Sequence, residues 1–257
     1  DQWAPQQLGL AAAHAVSDGS GVTVAVIDTG VDFNHPALAG RLRPGHDYVG
    51  NDTDASEEGS TADAAYGHGT HVAGLVALAA PGAQILPLRV LDPQGRGNIW
   101  NVAAALLHAA DPDGNPATPD HAQVINLSLG TTTPTKLLDK VVELVTCSDD
   151  DDGEDDDDYS DPGFNRDRER CDLHHGSVVV AAAGNGGNAR ELQYPAAERA
   201  EGALSVAAST DTSRVASFSN RGPWVMIAAP GEGLTSAVPG GDYAVWSGTS
   251  MAAPLAA

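Results

Sequence analysis

Asp28, His68, Asn185 and Ser250 stand in this 257-residue chain in an order and in settings that suit acyl transfer. In that chemistry a serine hydroxyl attacks a carbonyl and a histidine takes its proton. A carboxylate orients and stabilises the imidazolium, and an amide donor holds the oxyanion. A glycine lies within two residues of each of the four, in Asp28-Thr29-Gly30, Gly67-His68-Gly69, Gly184-Asn185-Gly186 and Gly248-Thr249-Ser250. The run Ser250-Met251-Ala252-Ala253 suits a helix start, with Pro254 near the first turn. A hydroxyl there lies close to free N–H groups and the positive helix end. Each residue also has a plainer reading. Ser250 could cap a helix, Asp28 could leave its strand in an Asx turn, and Asn185 could be a positive-φ turn residue. All four together, each following a strand or opening a helix, favour the chemical reading.

The elements that must carry them follow from hydrophobic pattern. Val22–Ile27 reads as a buried parallel strand that delivers Asp28 at its C-terminal end, where open α/β sheets place their ligands. Asp32 lies further into that loop and reads as a turn residue. Residues 40–66 are polar, without periodicity, and read as surface loop. The segment from Gly67 to Ala80 is a closely packed helix with His68 at its start. His68 and His71 are three apart but lack a third metal ligand, so His71 reads as a packed, hydrogen-bonded histidine. Further strands are expected at Gln84–Leu91, Val124–Leu127, Ser177–Ala182, Leu204–Ala208, Val225–Ala229 and Tyr243–Trp246, with helices at Asn98–Ala110 and Pro134–Val145. This alternation predicts an α/β fold of three layers, a mainly parallel β-sheet with helices on both faces. A loop at 111–120 holds Asp111, Asp113 and Asn115, whose oxygens could reach calcium, but these residues read first as a plain turn cluster.

Composition narrows the partners. The formal net charge is −22, with 13 Lys plus Arg against 35 Asp plus Glu, so a nucleic-acid partner is excluded. No apolar run reaches membrane-spanning length, and no signal peptide is present. Lysine occurs only at 136 and 140. The two cysteines, Cys147 and Cys171, bracket 23 residues with ten Asp, two Glu and three Arg, which carry nine of the net negative charges. Such a stretch cannot bury itself. Two cysteines at its ends read, in a secreted protein, as a disulfide that ties it off, worth about 3.5 kcal/mol by loop closure. Adjacent carboxylates favour weak, multi-site calcium binding there, outside the chemical step.

Asp28-Thr29-Gly30, Gly67-His68-Gly69-Thr70-His71 and Gly248-Thr249-Ser250-Met251-Ala252 resemble the three signature blocks of the subtilisin-like serine proteases, in that family's order of Asp, His, Ser. Ala182-Ala183-Gly184-Asn185 resembles its oxyanion block, and Ile125-Asn126-Leu127-Ser128-Leu129-Gly130 its substrate strand. The resemblance covers nearly the whole chain. It implies a secreted, monomeric endopeptidase with triad Asp28, His68 and Ser250 and the oxyanion donor Asn185. It needs no cofactor for catalysis, uses structural calcium, acts on polypeptides and is made with a propeptide. Gly95-Arg96-Gly97 and Ser128-Leu129-Gly130 would sandwich an extended substrate by main-chain hydrogen bonds. Ala182, Ala183 and Gly184 would line the pocket before the cut and leave room for a large apolar side chain. Two departures stand out. The short passage Leu75–Ala83 leaves no room for the calcium loop of many secreted relatives. The helix carrying Ser250 ends at Ala257, so residues 1–257 read as one C-terminally incomplete peptidase domain, with 147–171 as a surface insert.

Two other functions use the same residues. A non-catalytic binding module would keep the fold without turnover, and fluorophosphonate labelling of Ser250 separates it from an enzyme. A peptide ligase or macrocyclase would pass the acyl group to an amine, so product mass separates it from a hydrolase.

Overall fold

In the computed structural model the described residues are 2–115, 117–147, 176–198, 200 and 202–257. Cys171, and with it the expected bridge to Cys147, lies outside them, as does the acidic insert from Ser148 to Arg170.

The centre of the molecule is a seven-stranded sheet in which every pairing is parallel. Its strands are β1 (Thr23–Asp28), β2 (His46–Asp47), β3 (Gln84–Arg89), β4 (Val124–Leu127), β5 (Val178–Ala182), β6 (Ala203–Ser209) and β7 (Ile227–Pro230). Their spatial order is β2-β3-β1-β4-β5-β6-β7. A parallel strand covered on both faces needs apolar residues at consecutive positions, and all six residues of β1 are buried. Side chains alternate between two cores. Val24 and Val26 join Val180, Val206, Leu75 and Leu255 on one face. Ala25 and Ile27 join Ile125, Val179, Leu106 and Val142 on the other.

The helices divide between those faces. α1 (Ala4–Gln7) and α2 (Leu10–His14) are short. α3 (His68–Ala79) packs on the first core; α4 (Ile99–Ala110) and α5 (Lys136–Thr146) pack on the second. Asn98 caps α4 by accepting from Asn101 N–H, and Thr135 caps α5 by accepting from Leu138 N–H. α6 (Thr249–Ala252) leads into a 3₁₀ turn, Ala253–Leu255, against the first core.

The expected architecture is the observed one, with differences at the edges. The first twenty residues contain α1 and α2, where no element was expected, and the loop at 40–66 contributes the two-residue β2. The strand expected at Tyr243–Trp246 is β9 (Asp242–Trp246). It pairs antiparallel with β8 (Leu234–Val238), which the sequence pattern did not reveal, in a separate two-stranded sheet. Helix α5 begins two residues later than expected, because Thr135 is its cap.

Candidate active site

Along the sheet, β1 is where strand order reverses: β3 lies on one side and β4 on the other. At such a switch point the loops leaving the neighbouring strands part and open a crevice. Asp28 ends β1. By the alternation along that strand it shares a face with Val24 and Val26, the face covered by α3. His68 is the first residue of α3, and its Nδ1 donates to Asp28 Oδ1 at 2.7 Å. Asp28 is 1% exposed and the histidine side chain 22%. The close approach depends on Gly69, where a Cβ would lie 2.1 Å from the Gly30 carbonyl oxygen. Thr29 serves both partners: its N–H donates to Asp28 Oδ1, and its hydroxyl accepts from Gly69 N–H.

A carboxylate on Nδ1 fixes the tautomer and leaves Nε2 with its lone pair. Burial works to lower the His68 pKa. The charge of Asp28, its hydrogen bond and the charge of Glu57 outweigh this and raise it above the ordinary imidazole value. His71, one turn on, is fully buried and donates from Nε2 to the Ala244 carbonyl of β9. Burial pushes it down to about 4, so it is neutral, the packed histidine expected. Trp246 of β9 stacks on His71 at 4.6 Å and lies parallel to His68 at 6.3 Å.

Ser250 is the second residue of α6. Its hydroxyl donates to the Ser128 carbonyl at 3.0 Å, while the Ser128 hydroxyl donates to the Ser250 carbonyl at 2.7 Å. This reciprocal pair ties α6 to the end of β4. No hydrogen bond joins Ser250 to His68 among the described residues. Asn185, just past β5, accepts at Oδ1 from both the N–H and the hydroxyl of Thr249. A backbone N–H only donates, so the amide orientation is settled and Nδ2 is left as donor. Nδ2 lies 3.4 Å from where a Cβ on Gly248 would stand. The Ser250 N–H has no acceptor among the described residues. Two donors therefore stand free beside the serine.

Loops leaving β3 and β4 line a cleft of about 510 Å³ that includes Thr29 and His68. Gly95, Arg96 and Gly97 form part of one wall, and Ser128, Leu129 and Gly130 part of the rest. The N–H groups of Gly97 and Gly130 donate to nothing among the described residues, as strand addition by a ligand requires. Ala182 and Ala183 are buried at the end of β5, and Gly184 N–H donates to Thr249 Oγ1. These three residues support α6 and are not among those lining that cleft.

Sequence reasoning missed several contributors. Glu57 accepts from Thr70 in α3, but it lay in a stretch without periodicity. Arg89, buried at the end of β3, holds Asp47 at 2.5 Å and Glu58 at 2.7 Å and so anchors that same stretch. Asn126 donates to the Ser128 hydroxyl from within β4. Away from the cleft, Asp111 and Asp113 meet Asp120, with carboxylate oxygens within 4.8 Å of one another. Asn115 is occupied with Thr118 and Ala117. Oδ1 of Asp111 and of Asp120 are buried without hydrogen-bond partners, and burial with the charges of Asp113 and Asp111 raises the Asp120 pKa. Such a donor set fits a hard cation.

A parallel α/β sheet with Asp, His and Ser brought in that order to its switch point defines a subtilisin-like protein. The chain matches the subtilase family over residues 19–257 and belongs to it. It is 38% identical to a thermophilic serine proteinase from Bacillus sp. (strain AK1), over 98% of this chain and 55% of that protein. It is 37% identical to thermitase from Thermoactinomyces vulgaris, over 98% of this chain and 78% of thermitase. Among solved structures, a cold-adapted subtilisin-like serine proteinase matches at a TM-score of 0.70 and 32% identity, over 93% of this chain and 73% of that one. The chain thus spans little more than half the length of the Bacillus proteinase.

Proposed function

We propose that this chain is a serine endopeptidase that cleaves polypeptides through an acyl-enzyme. The observation that carries the reading is the 2.7 Å Asp28–His68 bond in the wall of the cleft whose Ser128 holds the Ser250 hydroxyl. An extended peptide binds between Gly95–Gly97 and Ser128–Gly130. Ser250 turns about χ1 from the Ser128 carbonyl toward His68 Nε2, a contact of a kind that tightens only in the substrate complex. Oγ attacks the peptide carbonyl carbon as its proton passes to Nε2. The oxyanion accepts from Asn185 Nδ2 and the Ser250 N–H, which are fixed in place before it forms. Asp28 stabilises the imidazolium. The C–N bond then breaks, and the leaving amine takes the proton from Nε2. Water repeats the sequence on the ester, releasing the acid and restoring Ser250. No cofactor enters any step.

The proposal extends to the setting. The enzyme works outside the cell as a monomer, released from a precursor with its own propeptide, and Cys147 pairs with Cys171. No helix among the described residues is long and apolar enough to cross a membrane. Calcium serves stability: Asp111, Asp113 and Asp120 would hold it, alongside the acidic insert.

A fluorophosphonate tests the central claim. Stoichiometric modification of Ser250, and loss of peptide hydrolysis in Ser250→Ala with substrate binding retained, is the expected result. Comparable turnover in Ser250→Ala would sink the mechanism. An unlabelled Ser250 would mean a binding module. Products heavier by an amine rather than by water would mean a ligase.

A further inference from the structure

The structure assigns Glu57 as a positioning residue for His68, acting as a borrowed cap on the catalytic helix and as a second negative charge beside the imidazole. The assignment rests on the peptidase reading above, since it concerns the same histidine.

The geometry starts from a missing cap. Gly67 precedes α3 and has no side chain to offer the helix's first N–H groups. Glu57, eleven residues before His68 and outside any element, fills the gap. Its Oε2 accepts from the Thr70 N–H at 3.2 Å and from the Thr70 hydroxyl at 2.8 Å. Thr70 is the third residue of α3, so the carboxylate sits where a cap would and where the helix dipole favours negative charge. The Thr70 hydroxyl in turn accepts from Asp32 N–H, which fastens the same turn to the loop leaving β1. Glu57 is itself held at both ends. Its N–H donates to the Val31 carbonyl, and the neighbouring Glu58 bonds Arg89.

The charges around this point are few. His68 faces Asp28 from β1, Glu57 from the loop, and the neutral His71 and the Trp246 ring from behind. Glu57 faces Asp28 and His68, with Asp32 and Tyr66 along the cavity it lines. Oε1 of Glu57 is buried without a partner. Burial raises its pKa and the charge of Asp28 adds to this, while hydrogen bonds from Thr29 and Thr70 favour the charged form. Two carboxylates held close to one imidazole repel each other when it is neutral, and the repulsion is offset when it takes a proton. A charged Glu57 therefore makes His68 a stronger base, and its hydrogen bonds keep the ring in line with Asp28.

Glu57→Gln separates the two roles, because the amide keeps an acceptor for Thr70 and loses the charge. The His68 imidazole is titrated by NMR in a Ser250→Ala background, which cannot digest itself. In Glu57→Gln the His68 titration should move down by roughly half a pH unit to one unit, the scale of a single screened charge nearby. In the active protein the acid limb of kcat/KM should move the same way. In Glu57→Ala the cap is lost as well: kcat should fall with KM little changed, and Glu57→Gln should restore kcat above the acid limb. An unmoved His68 titration in Glu57→Gln would overturn the electrostatic role, and an unchanged kcat in Glu57→Ala would overturn the positioning role. The NMR titration reads His68 whether or not peptides are cleaved. Failure of Ser250 labelling would count against the peptidase reading and leave the charge effect measurable.

Discussion

Asn185 divides one carboxamide: its oxygen accepts from the first N–H of α6, and its nitrogen is left as a donor beside Gly248. The two histidines of α3, one half-buried and one buried, show the same economy in opposite directions. His68 has a carboxylate on Nδ1 and is driven toward the charged form; His71 has only a carbonyl partner, and burial keeps it neutral. Their effects on stability therefore differ in sign. His68, with its pKa raised in the fold, stabilises below the unfolded value of about 6.5, and that contribution is lost as pH rises through its folded value. His71, at about 4, binds its proton more weakly folded than unfolded. Its effect is a loss of stability as pH falls from about 6.5 toward 4, amounting to about 3 kcal/mol at the acid end. We predict that the melting temperature of the Ser250→Ala protein falls between pH 6.5 and 5, before most carboxylates titrate. His71→Gln, which can still donate to Ala244, should flatten that slope. A slope unchanged in His71→Gln would assign it to other groups.

At the level of elements, the site is a consequence of strand order. Both walls of the cleft exist because β3 and β4 leave β1 on opposite sides, and Asp28 faces α3 because β1 alternates. Much of this was readable from the sequence. The strand runs and the Asp, His, Asn and Ser with glycine close by are local signals. The hairpin of β8 and β9 was half hidden because the polar pair Thr235 and Ser236 interrupts the apolar pattern of β8. Glu57 and Arg89 were hidden for a different reason: each works through partners distant in sequence, and no local spacing reports that. Gly69 lies between these cases, since its glycine is visible but the carbonyl it must clear is not. Gly69→Ala would place a Cβ against the Gly30 oxygen and push α3 away from the end of β1. The expected cost is about 1–3 kcal/mol in stability. The loss in kcat/KM should be larger, on the order of 10²-fold, because a displacement of about 1 Å misaligns His68. Melting and steady-state kinetics on the same preparation check this; equal activity would mean the helix tolerates the shift.

On the scale of the whole molecule, the net charge of −22 is unevenly spread, and the 23 residues between Cys147 and Cys171 hold nine of those charges. The fold on either side closes without them. Ser177 N–H donates to the Val145 carbonyl at 2.7 Å, and a Cβ on Gly176 would stand 3.0 Å from the Cβ of Cys147. The ends of α5 and β5 are thus already neighbours, on the side of the sheet packed by α4 and α5. Asp28, at the end of β1, and His68, at the start of α3, belong to the face that α3 covers. The described ends of the insert meet at the N-terminal end of β5, the end opposite Asn185, and charge between exposed groups is screened within about 8–10 Å in physiological salt. We therefore predict that deleting Ser148–His175 leaves kcat/KM for a small peptide within a few-fold. The deletion includes Cys171, so Cys147→Gly should accompany it; glycine suits the left-handed φ of 57° at that position. Calcium sets the second readout. So many adjacent carboxylates gain more from a divalent ion than the rest of the surface does, so calcium protection against heat should shrink in the deletion. Protection that persists in full would place the ion at Asp111, Asp113 and Asp120, and Asp113→Asn in the deletion background should then abolish it. Free thiols at both cysteines in the oxidised, secreted protein would refute the bridge, and a turnover lost with the insert would refute its separation from the site.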